Sequence, residues 1–341
     1  MRRFHCICGQ PVFFNNTRCL SCRRTLGFDP QRLMVISLAN ADGELLGHEN
    51  TAFKRCGNGT RYEICNWLIP ASSDERLCIS CQLNRTIPNL ESNENLDRWR
   101  KLETNKRQLI YGLLSLGLPV VSIAKDYPQG LAFDFVEDQR SNPQVDLKHV
   151  LTGHHAGIIT IDVAEADDAY RVHRRKEFAE LYRTLLGHFR HESGHYYFEL
   201  LLDDRTKLTE FRDLFGDEGQ DYDRALIEYY DKGPDVDWRQ NYITAYASAH
   251  PLEDWAETWA HYLHIYDSLE TAFEYGLLAE IPDDFTQRLC IWRDLTVALN
   301  ELNRSMGVED AYPFVLNAAV AEKLGFVNRL LQTPRFPNHN G

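Results

Sequence analysis

The sequence predicts an α+β protein: a mainly helical domain with a small sheet, preceded by a small cysteine-rich domain held by metal. Three observations predict it. Eight of the nine cysteines fall in the first 81 residues. From Leu96 onward, apolar side chains recur mostly at helical spacing, interrupted by two short runs with strand character. One of the helical patterns carries the pentad His191-Glu192-Ser193-Gly194-His195.

Composition bounds the rest. The chain has 341 residues, 43% apolar and 26% charged, which is globular and long enough for a small domain plus a large one. We expect these at residues 1–85 and 93–332. The longest apolar run, Leu109 to Ala124, contains Gly112, Gly117 and Pro119 and is too short and broken to span a bilayer. The start, MRRFHCICG, has two arginines but no apolar core, so no secretory leader is expected and a cytoplasmic location is. A net charge of −13 argues against a general polyanion binder. The first 35 residues are locally basic (Arg2, Arg3, Arg18, Arg23, Arg24, Arg32), a pattern read as a solvated face in preference to a nucleic-acid site.

In a chain with no export signal, clustered cysteines point to metal rather than disulfides. Cys6-x-Cys8 with Cys19-x-x-Cys22 makes one group of four. Cys56, Cys65 and Cys78-x-x-Cys81 make another. Four thiolates are what a closed tetrahedral zinc site requires, and the C-x-x-C turn aims two sulfurs at one ion. Sequential pairing gives two separate structural sites; an interleaved arrangement would use the same residues. Phe4, Val12, Phe13 and Phe14 are candidates for a small apolar core, and a segment this short needs metal to hold it.

Residues 86–95 read as a linker. Leu96, Trp99, Leu102, Leu109, Leu113 and Leu114 then share a helical face up to Gly117-Leu118-Pro119. AFDFV (132–136) and GIITIDV (157–163) read as strands, and the second is either a sheet edge along a cleft or a plain core strand. Glu165, Asp167 and Asp168 read as a helix N-terminal cluster. Residues 203–240 are polar, with one short helix in DYDRALIEYYDKG. Residues 282–306 and 313–332 read as two amphipathic helices, with Leu289, Trp292, Leu295, Leu299 and Leu302 facing in and Cys290 as a buried apolar residue.

The central pentad is H-E-x-x-H. Phe178, Leu181, Tyr182, Leu185, Leu186 and Phe189 recur at helical spacing from Glu177 on, and no proline interrupts before Leu202. On a helix, residues i and i+4 stack on one face, so His191 and His195 can offer both imidazoles to one metal. Glu192, beside them, is placed to take a proton from a metal-polarised water as it attacks a carbonyl. Gly194 costs about 1 kcal/mol against alanine, and its small size allows another backbone to approach closely. His188, Tyr196 and Tyr197 flank the motif as cleft or packing residues.

Two histidines need a third protein ligand to hold a catalytic zinc. In H-E-x-x-H-x-x-G-x-x-H the glycine position is here Phe198 and the last histidine position Leu201, so that class is excluded. The stretch His250-Pro251-Leu252-Glu253-Asp254-Trp255-Ala256-Glu257 offers carboxylates instead. Glu253 and Glu257 are i and i+4 and share a face with His261, while His250 before Pro251 suits a helix cap.

Here resemblance adds to spacing. E-D-W-A-E resembles the glutamate helix of thermolysin-like and lethal-factor-like zinc peptidases, which implies Glu253 as ligand and Glu257 as the carboxylate orienting a ligand histidine. The reverse assignment stays open. Tyr246, seven residues before Glu253, resembles the tyrosine that steadies the oxyanion in lethal-factor-like enzymes; Tyr242 is the weaker candidate. Four stretches, FHCICGQPVFFNN with RCLSC, CNWLIP with CISC, YRTLLGHFRHESGHYYFELL, and SAHPLEDWAETWAHYLHI, together resemble the zinc-binding metallopeptidases that carry an N-terminal zinc ribbon. The resemblance implies a zincin-type, gluzincin-like domain behind a zinc-ribbon domain.

The expected function is a zinc-dependent peptidase with one catalytic and two structural zinc ions, a protein or peptide substrate, no membrane and no nucleic acid. The ribbon is a possible seat for a protein partner. The competing expectation is a binding module in which the ribbon recognises protein or nucleic acid and the zincin domain is a scaffold. The intact Glu192 favours the enzyme, because a scaffold needs the histidine pair and not the base.

Overall fold

The computed structural model describes residues 1–332 apart from 42–43, 48–50, 93, 124–128, 148, 151 and 178–181. The chain forms two compact units, Met1–Asp168 and Ala169–Arg335. The α+β class holds: a cysteine-rich ribbon region with small sheets precedes a helical region.

The first unit opens with a two-stranded ribbon, β1 (Phe4–His5) against β2 (Pro11–Val12). An antiparallel five-stranded sheet follows in sequential order: β3 (Thr25–Asp29), β4 (Met34–Ala41), β5 (Glu44–Leu46), β6 (Ala52–Arg55) and β7 (Leu68–Pro70). A short helix, α1 (Gly57–Tyr62), lies between β6 and β7. Next come β8 (Asn84–Thr86), the long helix α2 (Asn95–Ser115), β9 (Ala132–Val136), β10 (Gly153–His155) and β11 (Ile158–Asp162). These last four strands form a sheet in the order β10-β11-β9-β8. β11 therefore has a neighbour on each side, antiparallel to β10 and parallel to β9. It is a core strand and not the edge along a cleft, and Ile159 and Ile161 are fully buried.

The compact units divide at 168/169, whereas composition suggests a division near residues 85–93. Helix α2 is the reason. Its Tyr111 joins an aromatic cluster with Phe14 and Phe28, at ring distances of 5.6 and 6.0 Å, and Phe28 lies 4.8 Å from Trp67. Its Trp99, Leu102, Leu109 and Leu113 are buried as the helical period requires. Between these rows, Glu103 and Lys106 pair at 2.9 Å with no solvent exposure. Glu103 also accepts from Trp99 Nε1 and from Asn84, and Cys81 Sγ lies 3.9 Å from its other oxygen. Phe4, Val12 and Phe14 are buried as expected, but Phe13 points outward between them and is 62% exposed.

The second unit is helical: α3 (Asp168–Glu177, its first residue at the boundary), α4 (Leu185–Leu201), α5 (Arg205–Phe215), α6 (Tyr222–Lys232), α7 (Pro251–Glu274), α8 (Phe285–Ser305) and α9 (Ala318–Gln332). Helix α5 lies in the stretch read only as polar. Asp204 caps it, accepting from Lys207 N, and Phe211 and Phe215 anchor it. Those two rings stack at 4.8 Å and pack with Phe198, Trp255 and Phe326 into one aromatic core. Asp168 sits in the first turn of α3, as an N-terminal carboxylate should. Glu165 lies in a preceding 3₁₀ turn, and Asp167 pairs with Arg98 at 2.9 Å.

Helix α8 buries Trp292 and half-buries Leu289 and Leu295, but Leu299 and Leu302 are exposed, the latter by 61%. Its C-terminal turns run past the surface they were expected to cover. Cys290 is exposed as well. Among the described residues, no helix is long and apolar enough to cross a membrane.

Replacing Glu103 by leucine leaves Lys106 a lone buried cation. We expect the first unit to lose about 3–5 kcal/mol, read by urea unfolding; a loss under about 1 kcal/mol would show that the pair is not held in this buried form.

Candidate metal centre

The metal helix begins at Leu185, eight residues later than the apolar period suggests. Thr184 Oγ1 accepts from Gly187 N at 3.0 Å, so the threonine caps a new helix. Phe178 and Leu181, part of that period, lie outside the described residues. Helix α7 is also set by its entry. His250 Nδ1 accepts from Leu252 N at 3.1 Å and Pro251 fills the first position, so His250 is a cap.

The two helices approach closely. A Cβ on Gly194 would stand 2.9 Å from Ala256 Cα and 3.1 Å from Trp259 Cδ1. That proximity lets Trp255 Nε1 donate to Gly194 O at 2.8 Å and Trp259 Nε1 to Ser193 Oγ at 3.0 Å. Tyr197 stacks on Trp259 at 5.1 Å, and Tyr196 is buried beside it, so both pack and neither lines an open cleft.

At this contact, His191, His195 and Glu253 each offer one ligand atom, all within 4.8 Å of one another. Glu257 takes the other side of His191, with its Oε1 2.6 Å from Nδ1. Burial raises the Glu257 pKa, but His191 outweighs it and keeps the carboxyl below its usual range, so it is an acceptor and Nδ1–H donates. Nε2 of the neutral ring then carries a lone pair. It faces Glu253 Oε2 at 3.0 Å, and that buried oxygen has no hydrogen-bond partner. Two acceptors at this separation repel unless a cation lies between them. Burial pulls His191 down, yet Glu253 and Glu257 hold it well above the usual histidine range, so a proton serves in the metal-free chain. His195 Nε2, 3.5 Å from Glu253 Oε1, is pushed down to about 4 by burial and is a neutral donor. Burial would raise Glu253, but the two histidines hold it ionised at about 2. One carboxylate and two imidazoles around an orphaned oxygen fit a divalent metal such as zinc.

Glu192 is buried beside this group, and its Oε2 also lacks a partner. Burial pushes it up to about 7, with Glu253 and Glu257 adding to the rise and His191 opposing it. Tyr246, in the 3₁₀ turn before α7, brings its ring 6.0 Å from His191. Tyr242 instead lies under Lys323, 4.5 Å away, on the side where Lys323 pairs with the buried Asp254. His261 reaches the hydroxyl of Tyr312 at 2.7 Å and does not join the ligands. The spacing of the sequence gives no signal for Tyr222. It opens α6, and its hydroxyl donates to Glu253 Oε1 across 31 residues of chain.

The cysteines gather as two sequential groups, Cys6/Cys8/Cys19/Cys22 and Cys56/Cys65/Cys78/Cys81, the sulfurs of each within 4.8 Å. They are not interleaved. Cys6–Cys22 and Cys8–Cys19 sulfurs are 3.4 and 3.7 Å apart, far beyond a disulfide bond. Backbone N–H groups of Trp67 and Cys78 point at Cys65 and Cys56 sulfur, both at 3.4 Å, and Ser37 donates to Cys6 at 3.2 Å. Such donors favour thiolate, the form that binds metal.

Residues 95–330 match the family described as "Putative zinc-binding metallo-peptidase", and residues 3–92 match a zinc-ribbon domain. The chain belongs to this zinc-binding metallopeptidase family. Its zinc-ribbon and peptidase matches meet at residues 92–95, so the peptidase match takes in α2 and strands β9–β11 of the first unit, while β8 falls in the ribbon match. Relatives include uncharacterized proteins of Mycobacterium tuberculosis strain H37Rv and of Mycobacterium bovis. Each is 42% identical over 343 residues, covering 97% of this chain and 95% of the relative. No solved structure matches the chain.

Intrinsic helix propensity says Gly194→Ala should stabilise α4 by about 1 kcal/mol. The contact with Ala256 says the protein should instead lose about 1–3 kcal/mol, because backbone must move. Thermal unfolding of the two proteins decides the sign, and a stabilised variant would contradict the close approach.

Proposed function

We propose that the chain is a zinc-dependent peptidase that hydrolyses peptide bonds with Glu192 as general base. The observation that carries this reading is the buried Glu192 carboxylate, with one oxygen free of partners, beside the unpaired Glu253 Oε2 and the two histidines. A scaffold has no use for a desolvated carboxylate at that place. His191, His195 and Glu253 hold the catalytic zinc, and Glu257 fixes the His191 ring through Nδ1. When bound, zinc supplies Lewis acidity and lowers the pKa of a water. Glu192 takes the proton of the attacking water and returns it to the leaving amine. Tyr246, raised well above the usual phenol range by burial, stays protonated and can donate to the developing oxyanion.

The two four-cysteine groups hold structural zinc and replace a large core in the ribbon. The thiolate-rich ribbon suits a reducing compartment. The substrate is a protein or peptide. A second reading makes the ribbon a docking module for a protein partner. Ile7 and Leu20, inside the first two cysteine turns, are 74% and 94% exposed, and Arg18, Arg23 and Arg24, which flank the second turn in sequence, are exposed as well. Both readings can hold at once, with the ribbon presenting substrate.

Glu192→Gln keeps the size of the side chain and removes the base. We expect zinc content to be unchanged and hydrolysis of a mixed peptide library to fall at least about 10²-fold. A variant that cleaves as well as the parent excludes Glu192 as base. A cellular effect that survives the substitution moves the docking reading ahead.

A further inference from the structure

We propose that Tyr222 is a positioning residue that makes Glu253 a one-oxygen ligand and fastens α6 to the metal site. The proposal rests on zinc binding by His191, His195 and Glu253, and not on hydrolysis.

The hydroxyl of Tyr222 donates to Glu253 Oε1, which lies 3.5 Å from His195 Nε2, while Oε2 faces His191 Nε2 at 3.0 Å and has no hydrogen-bond partner among the described residues. The two oxygens of one carboxylate are thereby given different work. A phenol O–H draws charge from Oε1 and takes up one of its lone pairs. Oε2 keeps its lone pairs for the metal. The difference matters at a catalytic zinc, which needs one position left open for water or substrate. A carboxylate bound through both oxygens would crowd that position.

Tyr222 is itself held in place. Its ring lies 5.1 Å from the ring of His250, edge to face, and His250 is the cap of α7. One side chain thus touches both the entry to α7 and the ligand one turn inside it. None of the residues of α6 is buried, and Ile227 and Tyr230 are 70% and 60% exposed. Tyr229 places its ring 5.7 Å from that of Tyr246. The Tyr222–Glu253 hydrogen bond therefore couples the seating of α6 to the geometry of the metal site.

The test compares the full chain with Tyr222→Phe and Tyr222→Leu. Zinc affinity at the His/Glu site is measured by competition with a chromophoric chelator, with the four-cysteine sites as internal control. Loss of an outer hydrogen bond to a metal ligand costs about 10–100-fold in affinity. We expect Phe and Leu to weaken zinc binding alike, by at least about tenfold, with the cysteine-bound zinc unchanged. Zinc addition should also give a tyrosine ultraviolet difference spectrum in the parent that shrinks in Tyr222→Phe, and α6 amides should exchange faster in that variant. Parent-like affinity in Tyr222→Phe with loss only in Tyr222→Leu would mean that the ring packs and the hydroxyl positions nothing. Parent-like affinity in both also overturns the proposal. A zinc-loaded parent that cleaves no peptide, beside a weakened Tyr222→Phe, sinks the hydrolytic reading and leaves this one standing.

Discussion

His191 Nε2 and Glu253 Oε2 face each other 3.0 Å apart in the second unit, where only a cation between them, proton or metal, keeps the contact favourable. Nε2 is turned inward because Nδ1 is spent on Glu257. Oε2 is held by the first turn of α7. Left without a cation, the pair would drive the helices apart. The aromatic contacts of Trp255 and Trp259 with α4, and the missing side chain at Gly194, hold them together instead. Packing thus holds together a group of one carboxylate and two imidazoles that fits a divalent ion.

The first unit solves a different problem by the same means. Its sheets are small, and several apolar side chains stay at the surface. Metal-binding thiols substitute for core in the ribbon. The buried Glu103–Lys106 pair links the second cysteine group to α2 and the following sheet. That linkage explains why compactness and family boundaries differ. A family match follows residues that descend together, whereas a compact unit follows the contacts of Tyr111, Glu103 and Trp99.

Much of the site was legible because its spacing is mechanical. At i and i+4 on a helix His191 and His195 fall on one face and can share an ion, and the C-x-x-C turns declare themselves in the same way. The choice of Glu253 over Glu257 needed resemblance, since both lie on one face. In the structure Glu253 groups with His191 and His195, while Glu257 Oε1 lies against Nδ1 of His191. Tyr222 was not legible, because no period links residues 31 apart on two helices. The start of α4 was misplaced because the apolar period runs through Tyr182 without regard to the cap at Thr184. The inward face given to Leu299 and Leu302 failed because amphipathicity shows which side of a helix is apolar, not where its partner ends.

The central claim is that the second unit holds a metal ion of its own, apart from those of the ribbon. Metal content by mass spectrometry, for the purified chain beside a His191→Ala/His195→Ala variant, tests it most directly. The account predicts three zinc ions falling to two. Two in both proteins would contradict it, leaving Glu253 Oε2 and His191 Nε2 bridged by a proton alone.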